Sequence, residues 1–219
     1  LPNLELTASD APDLSNVTDL NFMFLNSEGL TGTLGNWVWN TSNVTKMKGT
    51  FNDAQKFNGD LSEWNTSNVT DMNSMFRGAG LFNYDISNWN TSNVTTMEQM
   101  FQNAHSFNQN LADWDLTSLT NAALMFNANP GQGMDCENLT NTLIGWGSNA
   151  STPNGVTLGA KNRYYASGAD AGLLAKSWTI TDASGTCTPA PLVPVVAKMD
   201  NVAFGAYPNP SNGMVNLSS

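Results

Sequence analysis

Basic side chains, histidine and cysteine are all scarce in this 219-residue chain. It has 8 Lys and Arg residues against 18 Asp and Glu residues, a formal net charge of −10, one His and two Cys. Nucleic acids and anionic membrane surfaces are bound through clusters of basic residues, so the composition argues against both as partners. A structural zinc site takes a quartet of Cys or His ligands, which this chain does not supply, and we expect no metal and no cofactor.

Long apolar runs are also missing. No stretch approaches the roughly 18 consecutive apolar residues of a membrane-spanning helix, so no transmembrane segment is expected. Charged residues make up only 12% of the chain, whereas Asn, Thr, Ser and Gly are abundant, and this neutral polar composition favours an extracellular protein. The chain begins at Leu1 without a signal peptide, and we therefore expect a processed piece of a longer product.

The chain repeats one phrase with a fixed period. WNTSNVTDMNSMF begins at Trp64 and WNTSNVTTMEQMF begins at Trp89, within a series of tryptophans spaced by 25 residues. A fixed period of about 20 to 50 residues indicates a stacked repeat array. Most apolar positions align on this period, in columns formed by Trp39, Trp64, Trp89 and Trp114, by Val44, Val69, Val94 and Leu119, by Phe51, Phe76, Phe101 and Phe126, by Phe57, Phe82 and Phe107, and by Leu61, Ile86 and Leu111.

Two kinds of secondary structure are predicted in each repeat. In residues 68–79 the apolar residues have helical spacing, and Thr95 with Glu98 in the next copy has the spacing of a capping box, so a short helix is expected. Residues 60–68 are short, polar at both ends and alternate between two faces, which predicts a strand. Neither element can bury its apolar side alone, so the repeats must stack. We predict an α/β fold, a solenoid of short parallel strands and short helices with a C-terminal α/β cap.

The repeated pattern also resembles a known family. FNxDLSxWNTSNVTxMxxMFxxA, which covers about residues 12–129, is similar to the surface-protein repeats called BspA-like or DUF285, a divergent relative of leucine-rich repeats. The resemblance implies a leucine-rich-repeat-like solenoid over residues 1–129 in a secreted or surface-anchored bacterial protein, of a kind often assigned to adhesion. It implies no catalytic residues, and we expect the protein not to be an enzyme.

Residues 130–187 depart from the repeat and are predicted to cap its end. The predicted elements are a helix with Leu139, Leu143, Ile144 and Trp146 on one face, a strand at GVTLGA (155–160), a second helix ending near Lys176, and a strand at SWTITD (177–182). Cys136 and Cys187 bracket this unit, and in an exported protein we expect them to form a disulfide. Closing a loop of about 50 residues would stabilise the fold by about 2 to 4 kcal/mol.

The last two segments differ from everything before them. Residues 188–199 are rich in proline and are predicted to be an extended linker. Residues 200–219 resemble the opening of a type A sorting domain, a small β-sandwich of the type IX secretion system of Bacteroidetes, and here the domain is expected to be truncated. The resemblance implies export to the outer-membrane surface, with the type IX translocon or its shuttle protein as partner. The matching residues are Tyr207, Pro208, Asn209, Pro210 and Gly213.

Two polar rows are the candidate ligand-binding residues. The rows are formed by Asn40, Asn65, Asn90 and Asp115 and, two positions later, by Ser42, Ser67, Ser92 and Thr117. Flat rows of small polar groups suit a glycan or an extended protein surface. The alternative is that they only stabilise one another through side-chain ladders and turn caps. The column Asn43, Asn68 and Asn93 is predicted to be structural, an asparagine ladder bonded to the backbone at the turn.

Catalytic and metal-binding interpretations have less support. His105 is the only histidine, and the carboxylate column of Asp60 and Asp85 is broken by Asn110, so we expect a solvated face rather than an acid–base pair. Asp53 with Asp60 could contact calcium, but the sequence has no EF-hand or nonapeptide-repeat spacing. A structural stalk without any ligand remains the other functional hypothesis.

Overall fold

Turns make up most of this fold, and regular elements are few. The computed structural model describes residues 12–31, 39–181, 183 and 185–188. Short helices and short parallel strands are present, which is compatible with the predicted α/β class. Among the described residues, every helix and strand lies C-terminal to the repeats. They are α1 (Cys136–Ser148), β1 (Thr157–Gly159), β2 (Tyr164–Ala166), α2 (Ala171–Ala175), β3 (Thr179–Thr181) and β4 (Gly185–Cys187).

Consecutive repeats are joined by single parallel β-bridges. Thr70 donates both its N–H and its hydroxyl to the Thr45 carbonyl, at 2.9 and 3.2 Å, and Thr95 does the same to Thr70. Each repeat therefore lies in register on the one before it. Four such bridges link five equivalent residues in sequence order, Asp19, Lys46, Asp71, Thr96 and Asn121.

The helix predicted in residues 68–79 is wrong, because this segment is a run of turns. Ser74 and Gly78 have positive φ, 55° and 68°, a conformation that interrupts a right-handed helix. The Met72 N–H donates to the Thr96 carbonyl of the next repeat at 3.0 Å. An N–H that bonds to a neighbouring repeat cannot also close an intrahelical bond, so the apolar spacing produces a buried face without a helix. The same two positions have positive φ at Gly49, Asp53, Gln99 and Asn103.

The strand predicted over residues 60–68 is also absent, and the chain forms turns there. Thr66 is buried, and its hydroxyl donates to the Asn90 carbonyl of the next repeat at 3.0 Å. The predicted capping box is not formed either, because the Glu98 carboxylate accepts from the Asn121 side-chain amide at 3.1 Å. The side chains of Thr66 and Glu98 thus connect neighbouring repeats.

The core is a spine of stacked aromatic rings. Two of the predicted columns form it, Phe51, Phe76, Phe101 and Phe126 together with Phe57, Phe82 and Phe107, and all seven side chains are buried. Consecutive ring centroids lie 5.6, 5.7 and 5.9 Å apart in the first column and 5.9 and 6.0 Å apart in the second. Within a repeat the columns touch, as in Phe76 and Phe82 at 4.0 Å. The prediction that these columns form the core is confirmed.

Helix α1 closes the C-terminal end of the array. It begins after Asp135, whose side chain accepts a hydrogen bond from the Asn138 N–H. Trp146 in α1 is buried and donates its indole N–H to the Leu111 carbonyl at 2.7 Å. Trp114 makes the equivalent bond to Ile86 one repeat earlier, so α1 supplies the tryptophan that a further repeat would have supplied.

The remaining cap elements extend the same pairing. Leu158 of β1 forms a parallel bridge with Ala122 of the last repeat, β1 pairs with β3, and β2 pairs with β4. Helices α1 and α2 and strands β1 and β3 match predicted elements, whereas β2 and β4 were not predicted. Ile144 is 51% exposed, which corrects its predicted place on the buried face of α1. Within the described ranges, no helix is long and apolar enough to cross a membrane.

Candidate ligand-binding site

The predicted asparagine row lies on the surface of the repeats. Asn40, Asn65 and Asn90 are exposed, and Asp115 continues the row as a half-buried residue. Each of the three asparagines precedes a buried threonine whose hydroxyl donates to a carbonyl of the next repeat, as Thr66 does. Because the repeats are in register, we expect neighbouring members of the row to be about 4.8 Å apart. The row is carried by turns and not by the predicted strand face.

The side-chain oxygens of this row are used to cap turns. Asn65 Oδ1 accepts from the Ser67 N–H at 3.0 Å and from the Ser67 hydroxyl at 2.7 Å. Asn90 and Ser92 make the same two bonds, at 3.1 and 2.7 Å. This is the Asx-turn arrangement, in which a side-chain oxygen satisfies the backbone two residues later. The same capping recurs in the pairs Asn40–Ser42 and Asp115–Thr117.

The side-chain nitrogens of the row are not used in these caps. Within the described residues, the Nδ2 groups of Asn40, Asn65 and Asn90 donate no hydrogen bond. An Asn amide carries two donor hydrogens on this nitrogen. The row therefore presents three exposed amide donors that a ligand oxygen can accept from, while the hydroxyls of Ser67 and Ser92 are already engaged with their caps.

The second asparagine column is structural, as predicted. Asn68 Nδ2 donates to the Ser42 carbonyl at 2.7 Å, and Asn93 Nδ2 donates to the Ser67 carbonyl at 2.7 Å. Each bond links one repeat to the one before it. These amides therefore help to hold the repeats in register.

The carboxylate column considered for acid–base chemistry also caps turns. Asp60 Oδ1 accepts from the Ser62 N–H and Asp85 Oδ1 from the Ser87 N–H, both at 2.9 Å. Asn110 makes the equivalent bond to Ala112, which explains why an amide is tolerated in this column. Asp53, the other acid considered as a calcium ligand, lies 3.5 Å from Arg77 in an ion pair. In the part of the chain that the structure describes, no three His, Cys, Asp or Glu side chains cluster as a metal site would require.

The predicted disulfide is present. Cys136 at the start of α1 and Cys187 in β4 are bonded, with their Cα atoms 6.2 Å apart and a sequence separation of 51. The bond ties the end of the cap back to the helix that covers the last repeat. The proposed secretion-signal residues Tyr207, Pro208, Asn209, Pro210 and Gly213, and all of residues 189–219, lie outside the described residues.

A buried arginine was not predicted. Arg163 is only 3% exposed, and its Nε–H donates to the Phe126 carbonyl of the last repeat at 3.0 Å. Burial lowers the pKa of this guanidinium, because removal from water penalises its charged form. A Cβ placed on Gly133 would lie 3.1 Å from the Arg163 guanidinium, so a glycine lets the backbone pass over it. In the sequence Arg163 looks like any surface arginine, and only the packing of the cap reveals its burial.

Comparison with known proteins adds a family to this geometry. Residues 38–138, a little under half of the chain, match the family described as Mycoplasma protein of unknown function, DUF285. This supports a DUF285 or BspA-like family for the repeats. The DUF285 match spans the three complete 25-residue copies and ends just inside α1, and the family suggests a surface repeat protein of unknown function. Searches of curated proteins and of solved structures found no significant match.

Proposed function

We propose that this chain is a secreted or cell-surface bacterial protein whose repeats form a solenoid and bind an extracellular ligand, with no enzymatic activity of their own. Support for the solenoid comes from the bonds that link equivalent residues of consecutive repeats, including the threonine, asparagine and aromatic columns. Support for the location comes from the DUF285 match, from the Cys136–Cys187 disulfide and from the neutral polar composition. Disulfides persist mainly in exported proteins.

The observation that carries the binding proposal is the row of exposed amide donors at Asn40, Asn65 and Asn90. Their oxygens hold the turns in place, so each Nδ2 group is fixed in direction before a ligand arrives. A ligand with oxygen acceptors at a regular spacing, such as a glycan or an extended protein segment, can accept from several of them at once. Donors that are already ordered cost little side-chain entropy on binding.

Export belongs to the same proposal. We assign residues 200–219 as a type IX secretion signal, with the translocon or its shuttle protein as the partner that reads the segment around Tyr207 to Gly213. The resemblance of that segment to a sorting domain is its support. The test is a pull-down from an outer-membrane extract of a type IX-competent bacterium, comparing the full chain with a chain that lacks residues 200–219. Loss of the translocon proteins from the truncated sample supports the assignment, and equal recovery of them contradicts it.

A structural stalk is the alternative function. One observation favours it, which is that the oxygens of the asparagine row and the neighbouring threonine hydroxyls are all satisfied within the protein. A surface that stabilises itself in this way does not require a ligand.

Binding is tested with full-length chains on an array of bacterial and host glycans and on a panel of extracellular-matrix proteins. The double variant Asn65→Asp and Asn90→Asp keeps the capping oxygen, as Asp115 shows, and removes the free donors. Asn141→Asp with Asn154→Asp adds the same charge at exposed positions outside the row and serves as the control. A ligand lost only by the first variant supports the proposal. A ligand retained by it places binding elsewhere, and a blank array and panel favour the stalk.

A further inference from the structure

A polar groove crosses three consecutive repeats at a place that the asparagine row does not reach. Its volume is about 420 Å³. Two columns of equivalent residues line it, the first being Asp53, Gly78 and Asn103 and the second Gln55, Gly80 and His105, and Asn129 completes the lining. Six of the seven lining residues occupy equivalent positions in three repeats, so the groove is formed mainly by the repeats themselves.

The middle repeat has glycine at both positions, and Gly80 leaves the groove open. The repeats on either side carry Asp53 and Gln55, and Asn103 and His105, where the middle repeat has only hydrogen atoms. Side chains two repeat steps apart are separated by roughly 10 Å, given about 4.8 Å for each step. The Gln55 and His105 side chains are thus the walls and the Gly80 backbone is the floor, while the Asp53 carboxylate lies over Gly78.

The two glycines have different reasons to be there. Gly78 has a φ of 68°, and a Cβ on it would collide with the Asp53 carboxylate. Gly80 has ordinary backbone geometry, and a Cβ on it would meet the Gln55 carbonyl oxygen at 3.4 Å and His105 Nδ1 at 3.9 Å, close to normal contact. A side chain at Gly80 is therefore compatible with the fold, and glycine there leaves the floor open without being required by the backbone.

The groove offers both donors and acceptors. Among the described residues, the backbone N–H groups of Gln55, Gly80 and His105 donate no hydrogen bond, although the Gln55 and Gly80 carbonyls accept from the following repeats. Three such donors recur at one-repeat intervals. The Asp53 carboxylate accepts, and it is held in place by its ion pair with Arg77 at 3.5 Å. His105 and Gln55 are exposed at opposite walls.

We propose that this groove binds a neutral saccharide. Sugar hydroxyls both donate and accept, so they can accept from the free N–H groups and donate to Asp53 in one site. An anionic ligand is disfavoured by Asp53 and by the net charge of −10. A cation is disfavoured because no three acidic or imidazole ligands cluster in the described residues. A peptide is disfavoured because the seven lining residues provide no apolar pocket for its side chains.

This site goes beyond the proposed function, since it uses none of the asparagine-row residues. The two can therefore fail separately: variants of Asn65 and Asn90 test the row, and variants of Gly80 and Asp53 test the groove. The repeats themselves supply the substitutions. Gly80→Gln places in the groove the residue that occupies the same position at Gln55, and Asp53→Asn reproduces Asn103, which has nearly the same φ, 59° against 55°.

The experiment is an NMR titration of the ¹⁵N-labelled full chain with cellotriose, maltotriose and chitotriose, each taken to millimolar concentration. We expect at least one trisaccharide to shift the amide signals of Gln55, Gly80 and His105 in a saturable way. Gly80→Gln should weaken that binding roughly tenfold or more, because its side chain fills the floor, and Asp53→Asn should weaken it to a similar degree by removing a charged acceptor. Glu63→Gln, an exposed change outside the groove, should leave it unaltered.

The amide spectra of the variants show directly whether each one is folded. Absence of any saturable shift with all three trisaccharides would overturn the proposal. It would also be overturned if a folded Gly80→Gln protein bound a trisaccharide as tightly as the wild type, or if the shifts clustered around Asn65 and Asn90 instead.

Discussion

Replacing Phe76 with alanine tests whether the aromatic spine is the main source of stability in the repeats. Phe76 is fully buried, with Phe51 and Phe101 stacked on either side at 5.6 and 5.7 Å and Phe82 at 4.0 Å. The variant Phe76→Ala removes a ring from the middle of this stack. Because neighbours on both sides hold the surrounding backbone in place, the resulting cavity has little room to collapse.

The expected loss is large. Truncation of a buried phenylalanine costs about 3–5 kcal/mol, and each aromatic pair contributes about 0.5–1.5 kcal/mol beyond its buried area. Since Phe76 takes part in several pairs, we expect a loss of about 4–5 kcal/mol in the free energy of unfolding. Phe24 provides the matched comparison, because it stacks on Phe51 at 5.2 Å at the end of the described spine. Phe24→Ala should cost about 3 kcal/mol, since an end repeat can relax.

The assay is urea denaturation followed by both tryptophan fluorescence and far-ultraviolet circular dichroism. In a repeat protein each unit contacts only its neighbours, so Phe24→Ala can also lower the slope of the transition through fraying of the end. Phe76→Ala should instead lower the midpoint of the whole transition. The reasoning is refuted if Phe76→Ala costs less than about 2 kcal/mol, which lies below the range for buried phenylalanines, or no more than Phe24→Ala.

Two further predictions concern the cap. Changing Cys136 and Cys187 to serine should lower the free energy of unfolding by about 2–4 kcal/mol, and reduction of the wild type should give the same loss in urea denaturation; an unchanged midpoint would show that the cap needs no cross-link. For Tyr165, burial first, then the hydrogen bond to Asp170 and its negative charge, raise the phenol pKa to about 12. Because the phenol is held protonated in the folded state, the stability it contributes is intact below its unfolded pKa of about 10 and is lost as the pH rises towards 12. Ultraviolet absorbance of the phenolate should show this late titration in the wild type and lack it in Tyr165→Phe, and an ordinary titration of all tyrosines would contradict it.

Much of the core could be predicted because equivalent residues in successive repeats have the same environment. Phe51, Phe76 and Phe101 recur with one period, and a stack in register is the only arrangement that buries all of them in the same way. The asparagine ladder of Asn68 and Asn93 could be predicted for the same reason. The cysteines were paired correctly because they bracket one unit.

The local backbone could not be predicted in the same way. The spacing of Val69, Met72, Phe76 and Ala79 fits a helix, but it fits equally a run of turns whose alternate N–H groups bond to the next repeat. Positive φ at Ser74 and Gln99 decides between the two, and neither serine nor glutamine is a residue type that predicts positive φ. The groove was not predicted for a related reason. In the sequence, Gly78 and Gly80 only interrupt two columns, and the groove is visible only when the neighbouring repeats are placed on either side of them.

The amino-acid pattern alone thus specifies which apolar columns of the repeats are buried, how often the unit recurs and where the array ends. It does so because burial of apolar side chains depends on their periodic placement, which can be read directly from the chain. Only the folded structure decides which polar groups are hydrogen-bonded within the protein and which are free to bind a ligand. In the sequence, Asn65, Asn68 and Asp60 all look like ordinary surface residues. In the structure, the Asn65 oxygen and the Asp60 carboxylate each accept a hydrogen bond within a turn, and the Asn68 amide donates one to a neighbouring repeat. A hydrogen bond depends on distance and direction between residues some 25 positions apart, and these are set by how one repeat rests on the next.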